Sequence, residues 1–423
     1  MQSVKSVDEI YLRAMSAQDV VSNLRELAKL TSTPEGAQRL AWGPVWRDAR
    51  KWFNTKLAEL DIKPEIDAAG NSWATLKGAS DRTVIIGSHL DSVPNGGWLD
   101  GALGVMVGLE ALRMFKGRQP PVTIKVVDWA DEEGARFGRS LLGSSAAAGS
   151  LTVSEVEHLA DKTGVKLVDA LRENGVELSR MHEAQRFLKA IAAKAYLELH
   201  IEQGPVLESM NRPTGVVQGT FGVERHLLRF VGQAAQSGST PIPMRRDAFL
   251  AAAESALGFR EIARKYTTPT ARVVCTVGTI KAEPGIVTAV PGVCEISLDQ
   301  RALDAKVLEQ MLADARQVSS RAATENNVTV EWKKIWSIDP RPFDPKLIAL
   351  CTEAVQEVTG DAPQLPSGPL HDAAEMVPYM PVVMMFAYSS NGLSHCKEED
   401  TPEAYLLKTI EAFLKLVEKV VRA

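Results

Sequence analysis

Val84-Ile85-Ile86-Gly87-Ser88-His89-Leu90-Asp91 decides the fold, because a short β-branched apolar run stops abruptly on polar side chains. Three other runs read the same way: Val122 to Val127 before Asp128, Tyr196 to Leu199 before His200, and Val382 to Phe386 before Ser389. Short apolar runs without polar alternation predict strands buried on both faces. Helical spacing fills the gaps, as in Val20 to Leu30 and in Val105 to Phe115, closed by Gly117. Strands alternating with helices predict an α/β fold built on a mixed sheet. Thr152 to Lys194 is mostly helical in pattern and opens with the Thr152/Glu155 capping-box spacing, which reads as a helical excursion between two strands. A final helix from Tyr405 to Val421 packs on the core.

Two sets of chain breakers bracket the middle of the sequence: Asn211-Arg212-Pro213-Thr214-Gly215, and Pro340, Pro342 and Pro345. They predict a catalytic domain over residues 1–211 and 337–423 with a smaller α+β domain, 212–336, inserted in it. The insertion reads as strand, helix (Asp247 to Arg264), strand (Arg272 to Thr279), strand (Val293 to Leu298), helix (Val307 to Thr324) and strand (Val328 to Trp332).

The chain has 423 residues, 45% hydrophobic and 24% charged, which is the make-up of a folded protein and excludes a disordered or fibrous one. Its formal charge is -5 and no basic run could neutralise a phosphate backbone, so nucleic acid is not expected as a partner. Asp8, Glu9, Arg13 and Asp19 interrupt the N-terminal apolar residues, so no signal peptide is read there, and no stretch is apolar enough to span a membrane. The four cysteines are spaced 19, 57 and 45 residues apart, unlike a zinc ribbon or a disulfide framework. The expected setting is cytoplasmic and the expected partner a small-molecule substrate.

Only seven histidines occur, and His89, His200 and His395 lie at or just beyond the ends of predicted strands. One such histidine judged alone reads better as a core residue with its ring nitrogens satisfied. Three arriving at one sheet edge from distant segments point to a shared site, since ligands of open α/β sheets collect at the carboxyl ends of strands. Asp91, two residues from His89, can accept the distal ring N–H and fix the tautomer that binds metal. Asp100, in the glycine-lined turn Gly96-Gly97-Trp98-Leu99-Asp100-Gly101, could bridge two cations or simply cap the next helix. Asp128-Trp129-Ala130-Asp131-Glu132-Glu133 crowds four carboxylates at a strand end, which repel one another unless cations or protons intervene. Of the adjacent pair Glu132 and Glu133, one can ligate while the other faces the attacking water. His and carboxylate donors without cysteine suit Zn²⁺, Mn²⁺, Co²⁺ or Ni²⁺, and a bridging carboxylate suits two ions about 3.5 to 4 Å apart.

Gly87 to Gly97, Asp100-Gly101, Asp131 to Phe137, and Leu197-Glu198-Leu199-His200-Ile201-Glu202-Gln203-Gly204-Pro205 resemble the amidase/hydantoinase/carbamoylase group of the M20 metallopeptidase superfamily. That group includes N-carbamoyl-L-amino acid hydrolases, β-ureidopropionases and allantoate amidohydrolases. The resemblance implies His89, Asp100 and His200 on one divalent metal ion and Asp100, Glu133 and His395 on a second. It implies Glu132 as general base and acid, with Asp91 behind His89. It also implies that the inserted domain is a lid and dimerisation domain, hence a homodimer.

Ser367-Gly368-Pro369-Leu370-His371-Asp372-Ala373 is similar to a segment carrying an active-site histidine, and Asp299-Gln300-Arg301 resembles an Asp-x-Arg whose arginine grips the substrate carboxylate. Gln236 stands where the resemblance leads one to expect a histidine, and Thr288 where it leads one to expect an asparagine. With Gln203 from the matched histidine segment, the expected substrate contacts are Gln203, Gln236, Thr288, Arg301 and His371. The implied reaction is hydrolysis of a linear C–N amide or ureido bond in a small carboxylate-bearing substrate, such as an N-carbamoyl amino acid. The rivals are a dipeptidase or N-acyl amino acid hydrolase, which the same metals and base would serve, and a non-catalytic protein that binds metal or ligand.

Overall fold

A computed structural model describes the backbone of residues 7–268 and 271–423 and the side chains from residue 16 onward. The side chains of Asp8, Glu9 and Arg13 lie outside the described residues. The chain divides into two compact units: Met1–Gln218 with Phe343–Gln364 and Pro369–Ala423, and Gly219–Pro342 with Leu365–Gly368.

The first unit contains α1 (Val7–Thr31), α2 (Pro44–Ala58), β1 (Ser72–Leu76), β2 (Thr83–His89), α3 (Ala102–Phe115), β3 (Thr123–Trp129), β4 (Ala193–Ile201), β5 (Thr214–Thr220), α4 (Pro345–Thr359), β6 (Val382–Ala387) and α5 (Glu403–Arg422). Its mixed sheet has the order β5-β6-β4-β2-β3-β1. The four apolar runs of the sequence are the four adjacent strands β6, β4, β2 and β3, all mutually parallel; β5 and β1 flank them antiparallel. Parallel pairing brings their carboxyl ends to one edge, with Ser88 opposite Asp128 and Phe386 opposite His200. Both faces are covered, which is why these strands read as continuous apolar runs. On one face Ile86, Val126, Leu197 and Met385 pack with Leu24 of α1, Leu109 of α3 and Phe413 of α5. On the other, Ile85, Val127, Tyr196 and Met384 are equally buried. Each such side chain contributes about 1.5 to 3 kcal/mol of burial.

Helix α3 begins earlier than its periodicity suggests. Its N-cap is Gly101 at φ 65°, with no capping side chain, so Asp100 is not spent as the helix cap. Glycine is required there twice over: the backbone is left-handed, and a Cβ would run into the His89 ring. The predicted helical excursion is shorter-grained than expected. It breaks into Val153–Val156, Leu167–Glu173, a 3₁₀ turn at Leu178–Arg180 and Glu183–Ala190, interrupted by Gly164 and Gly175 in positive φ. The Thr152 side chain makes no cap bond, so the Thr152/Glu155 spacing does not become a capping box.

The second unit is an antiparallel sheet ordered Val274–Thr276, Val293–Ala302, Gly222–Val231, Thr329–Ile338, with Ile280–Glu283 also paired to Val293–Ala302. Of the strand read over Arg272 to Thr279 only Val274–Thr276 forms, and Ile280–Glu283, just beyond that stretch, is a separate short strand. Helices Ala248–Tyr266 and Ala305–Glu325 cover one face, each started by an aspartate, Asp247 or Asp304, that accepts two backbone N–H groups. Along Val293–Ala302 buried and half-buried residues alternate strictly, the signature of a sheet with one face packed and one open.

Candidate metal centre

His89 ends β2 and His200 lies one residue before the end of β4, both buried. The Nδ1 of His89 is 3.1 Å from the Asp91 carbonyl oxygen, and that of His200 is 3.0 Å from the Ile201 carbonyl oxygen. A carbonyl only accepts, so in each neutral ring Nδ1 carries the proton and Nε2 presents a lone pair. Those lone pairs converge on Asp100, whose Oδ1 lies 3.8 Å from His89 Nε2 and 3.1 Å from His200 Nε2. None of the three atoms has a hydrogen-bond partner. Three buried acceptors facing one another are costly without a shared cation, and a single proton can serve only two of them. The donor set fits a divalent metal ion.

The other oxygen of Asp100 faces a second set. Oδ2 lies 3.4 Å from His395 Nε2, which is itself 3.3 Å from Glu133 Oε2. Asp100 thus belongs to both His89–Asp100–His200 and Asp100–Glu133–His395. Oδ2 also accepts from Gln203 Nε2 at 2.9 Å and Ser394 Oγ at 3.0 Å. Gln203, expected on substrate, therefore sits inside the cluster in this structure. Glu399 holds the turn from behind: its Oε1 accepts the backbone N–H of Leu99 and of Asp100, and its Oε2 lies 2.9 Å from Ser394 Oγ, whose single O–H serves either this oxygen or Asp100 Oδ2.

The four crowded carboxylates separate. Asp128 pairs with Arg50 at 2.6 Å and accepts the Leu90 N–H, while Asp131 accepts from Trp42 Nε1 at 2.8 Å. Only Glu132 and Glu133 face the histidines, and they part, Glu132 Oε2 lying 3.6 Å from His89 Nε2 and Glu133 reaching His395. The Asp91 carboxylate does not take the His89 ring proton as its main task. It accepts the backbone N–H of Glu132 and of Glu133, both at 3.2 Å, and stands 3.5 Å from the ring.

Burial raises Glu132 well above the ordinary carboxylate range, and Asp372, Glu133 and Asp91 add to this against the pull of His89. Burial and then Asp100 raise Glu133 likewise. Asp100 behaves oppositely: against its burial, His200, His89 and His395 keep it ionised. Burial opposes a charged His89, yet Glu132, Asp91 and Asp100 raise its pKa well above the imidazole range, so without an ion a proton on Nε2 stands in for the cation that the neutral ring would bind. Excess negative charge in a dry site is the condition in which a cation displaces protons most readily.

Residues 85–419 match peptidase family M20/M25/M40. The chain belongs to that family. An N-carbamoyl-L-amino acid amidohydrolase of Geobacillus stearothermophilus is 35% identical over 389 residues, covering 89% of this chain and 91% of that protein. An allantoate amidohydrolase of Bacillus subtilis is 30% identical, covering 92% and 94%. The crystal structure of a hydantoinase/carbamoylase-family amidase from Burkholderia multivorans is similar at a TM-score of 0.85 and 29% identity, covering 96% of this chain and 98% of that one.

In this M20 chain the remaining expected residues fall in two places. His371 is buried in the first unit, its ring centroid 4.4 Å from that of His200, and burial followed by His200 pushes its pKa well below the usual imidazole range. Gln236, Thr288 and Arg301 belong to the second unit. Gln236 and Thr288 are neighbours, since Gln236 pairs with Ala289 and Ser237 N–H donates to the Thr288 carbonyl. Arg301 lies on another strand, bound to Asp299. Two of the histidines outside the matched motifs have local partners: His182 contacts the Ser179 carbonyl and His226 contacts Glu224.

Sequence reasoning missed Arg39, fully buried, whose Nε donates to the Leu90 carbonyl at 2.7 Å beside the metal-facing loops. Glu399, Asp91, Asp100 and Glu133 counter the burial of its charge. No local pattern marks an arginine that the fold will bury.

Proposed function

We propose that the protein is a di-metal amidohydrolase that cleaves a linear C–N bond in an N-carbamoyl amino acid or related ureido acid. The observation that carries this reading is the convergence of His89 Nε2, His200 Nε2 and Asp100 Oδ1, three buried acceptors with no donor between them. The bond type is supported by the activities for which the relatives from Geobacillus stearothermophilus and Bacillus subtilis are named.

His89, Asp100 and His200 would hold one ion, and Asp100, Glu133 and His395 the other. When bound, such ions act as Lewis acids toward a carbonyl and lower the pKa of water. Glu132 takes the proton from the attacking water and delivers it to the leaving nitrogen; its Oε2 lies 3.6 Å from His89 Nε2, at the edge of the ligand cluster. Asp91 fixes the backbone of Glu132 and Glu133, and its carbonyl holds the His89 ring. Arg301 receives the substrate carboxylate, with His371, Gln236, Thr288 and Gln203 as further contacts.

The second unit is in this reading a lid and dimerisation domain. Support comes from Ile242, Met244 and Val287, apolar residues that are 76%, 74% and 100% exposed there. No disulfide is formed by the four cysteines and no described helix is long and apolar enough to cross a membrane, in keeping with a cytoplasmic enzyme. The test is ammonia and amine release by protein loaded with Zn²⁺, Mn²⁺, Co²⁺ or Ni²⁺, on ureido acids, N-acyl amino acids and dipeptides. Ammonia from the ureido acids supports the reading. Turnover of dipeptides or N-acyl amino acids alone replaces it with the rival hydrolase, and silence throughout points to a binding protein. Light scattering at micromolar protein tests the dimer.

A further inference from the structure

The second unit contains a cavity of about 410 Å³ that is lined by three arginines, Arg225, Arg272 and Arg301. Asp299 is the one acidic residue among its described lining residues. Strand register builds the group on the open face of the sheet. Asp299 stands opposite both Arg225 and Thr276, and Arg301, two residues on, opposite Val223 and Val274. Asp299 accepts from Arg225 Nε at 2.6 Å and from Arg301 Nε at 2.8 Å. Arg225 also lies over the Trp336 ring, and Arg301 donates to the Gly368 carbonyl. Arg272 is exposed and has no hydrogen bond or ion pair among the described residues.

Guanidinium groups stay charged at any physiological pH, so the cavity carries two positive charges more than its own carboxylate neutralises. Asp299 is shared by two of the arginines and holds their planes in place before any ligand arrives, which lowers the ordering cost of binding. One incoming carboxylate would balance one charge and leave the other facing a pocket walled partly by Phe221 and Ile335. Two carboxylates would balance both.

We propose that this cavity is a subsite for two carboxylates, and that the substrate is an N-carbamoyl amino acid whose side chain ends in a second carboxylate. The inference rests on the proposed function, which assigns Arg301 the first carboxylate; Arg272, two residues before Val274 that stands opposite Arg301, then takes the second. A side-chain amide of the same shape offers no charge to these groups.

The test compares N-carbamoyl-L-glutamate with its isostere N-carbamoyl-L-glutamine as substrates of the metal-loaded protein. The expected result is kcat/KM at least about tenfold higher for the diacid, the size of effect of a charge-assisted contact, with the ratio falling toward one in Arg272→Gln. In parallel, calorimetry with glutarate and butyrate reads the cavity without turnover, and glutarate should bind at least about tenfold tighter, a difference lost in Arg272→Gln. Arg272 is exposed, so the substitution leaves the packed core intact. Equal use of the two ureido acids, or a preference that survives Arg272→Gln, overturns the inference while the hydrolase reading stands. Absence of any ureido hydrolysis with glutarate binding retained overturns the hydrolase reading and leaves the dicarboxylate site.

Discussion

The two sheets of this protein handle charge in opposite ways. The parallel strands of the first unit are buried on both faces, so their polar chemistry is confined to the carboxyl-terminal edge, where His89, His200 and Asp100 present acceptor atoms without donors. The antiparallel sheet of the second unit has one open face, and there Asp299, Arg225 and Arg301 are paired along the strands themselves. The first arrangement is short of cations and the second short of anions. An edge excluded from water can leave lone pairs unmet until an ion arrives, whereas an exposed face satisfies its charges locally and keeps only an excess for a ligand.

The contrast breaks most visibly if the edge does not need metal. Chelation should reduce activity to background, and His200→Ala should lose metal as well, since it removes one of the three converging acceptors; full metal content by elemental analysis in that variant would end the comparison. Glu132→Gln should keep its metal and lose about 10²- to 10⁴-fold in turnover, the usual contribution of a general acid-base group. Near-normal activity there would move the proton transfer elsewhere.

The difference in cover between the sheets is sharpened by a pair of truncations followed by denaturant unfolding. Ile86→Ala, at a fully buried position of β2, should cost about 2 to 5 kcal/mol, and Val274→Ala, half-buried on the open face, under about 1 kcal/mol. Equal costs would mean that the second face is not open in solution. A smaller effect, about 10- to 100-fold in metal affinity, is expected for Glu399→Ala, which releases the backbone N–H groups of Leu99 and Asp100. Unchanged affinity would show that the turn holds Asp100 without it.

The smallest effect concerns the helical cover that the first sheet has and the open face lacks. Lys415 and Lys419 of α5 each reach Glu357 of α4 at 2.8 Å, and these hydrogen bonds pull its pKa down to about 2. Because the folded value is lowered, the pair's stabilisation is present above the unfolded value of about 4.5 and is lost as pH falls toward 2. Glu357 is partly exposed, so Glu357→Gln should cost only about 0.5 kcal/mol near neutrality and make stability flatter across that acid range. A variant as acid-sensitive as the parent would remove the pair from the account.

How much could be read in advance differs between the two units for the same reason that their sheets differ. The runs ending at His89, Asp128, His200 and Ser389 were legible as strands because burial on both faces suppresses polar alternation. In the second unit, helix and strand types were legible, but the strand read over Arg272 to Thr279 is only Val274–Thr276 and the short strand Ile280–Glu283 was not read, and alternation cannot say which face another element covers. Among the carboxylates, composition marked a crowded group; only the fold diverted Asp128 to Arg50 and Asp131 to Trp42.

The sequence by itself determined the α/β class, the position of the strands and the chemical kinds gathered at their ends, because these follow from periodicity and residue type over short stretches. The tertiary structure alone decided which atoms meet. Asp100 faces two histidines and not the helix it precedes because Gly101 takes the cap in a left-handed conformation. Asp91 holds the backbone of Glu132 and Glu133, Arg39 is buried beside the metal-facing loops, and three arginines from separate segments share one cavity. Such meetings depend on strand order and register between residues far apart in the chain, and no local pattern encodes a distance between them.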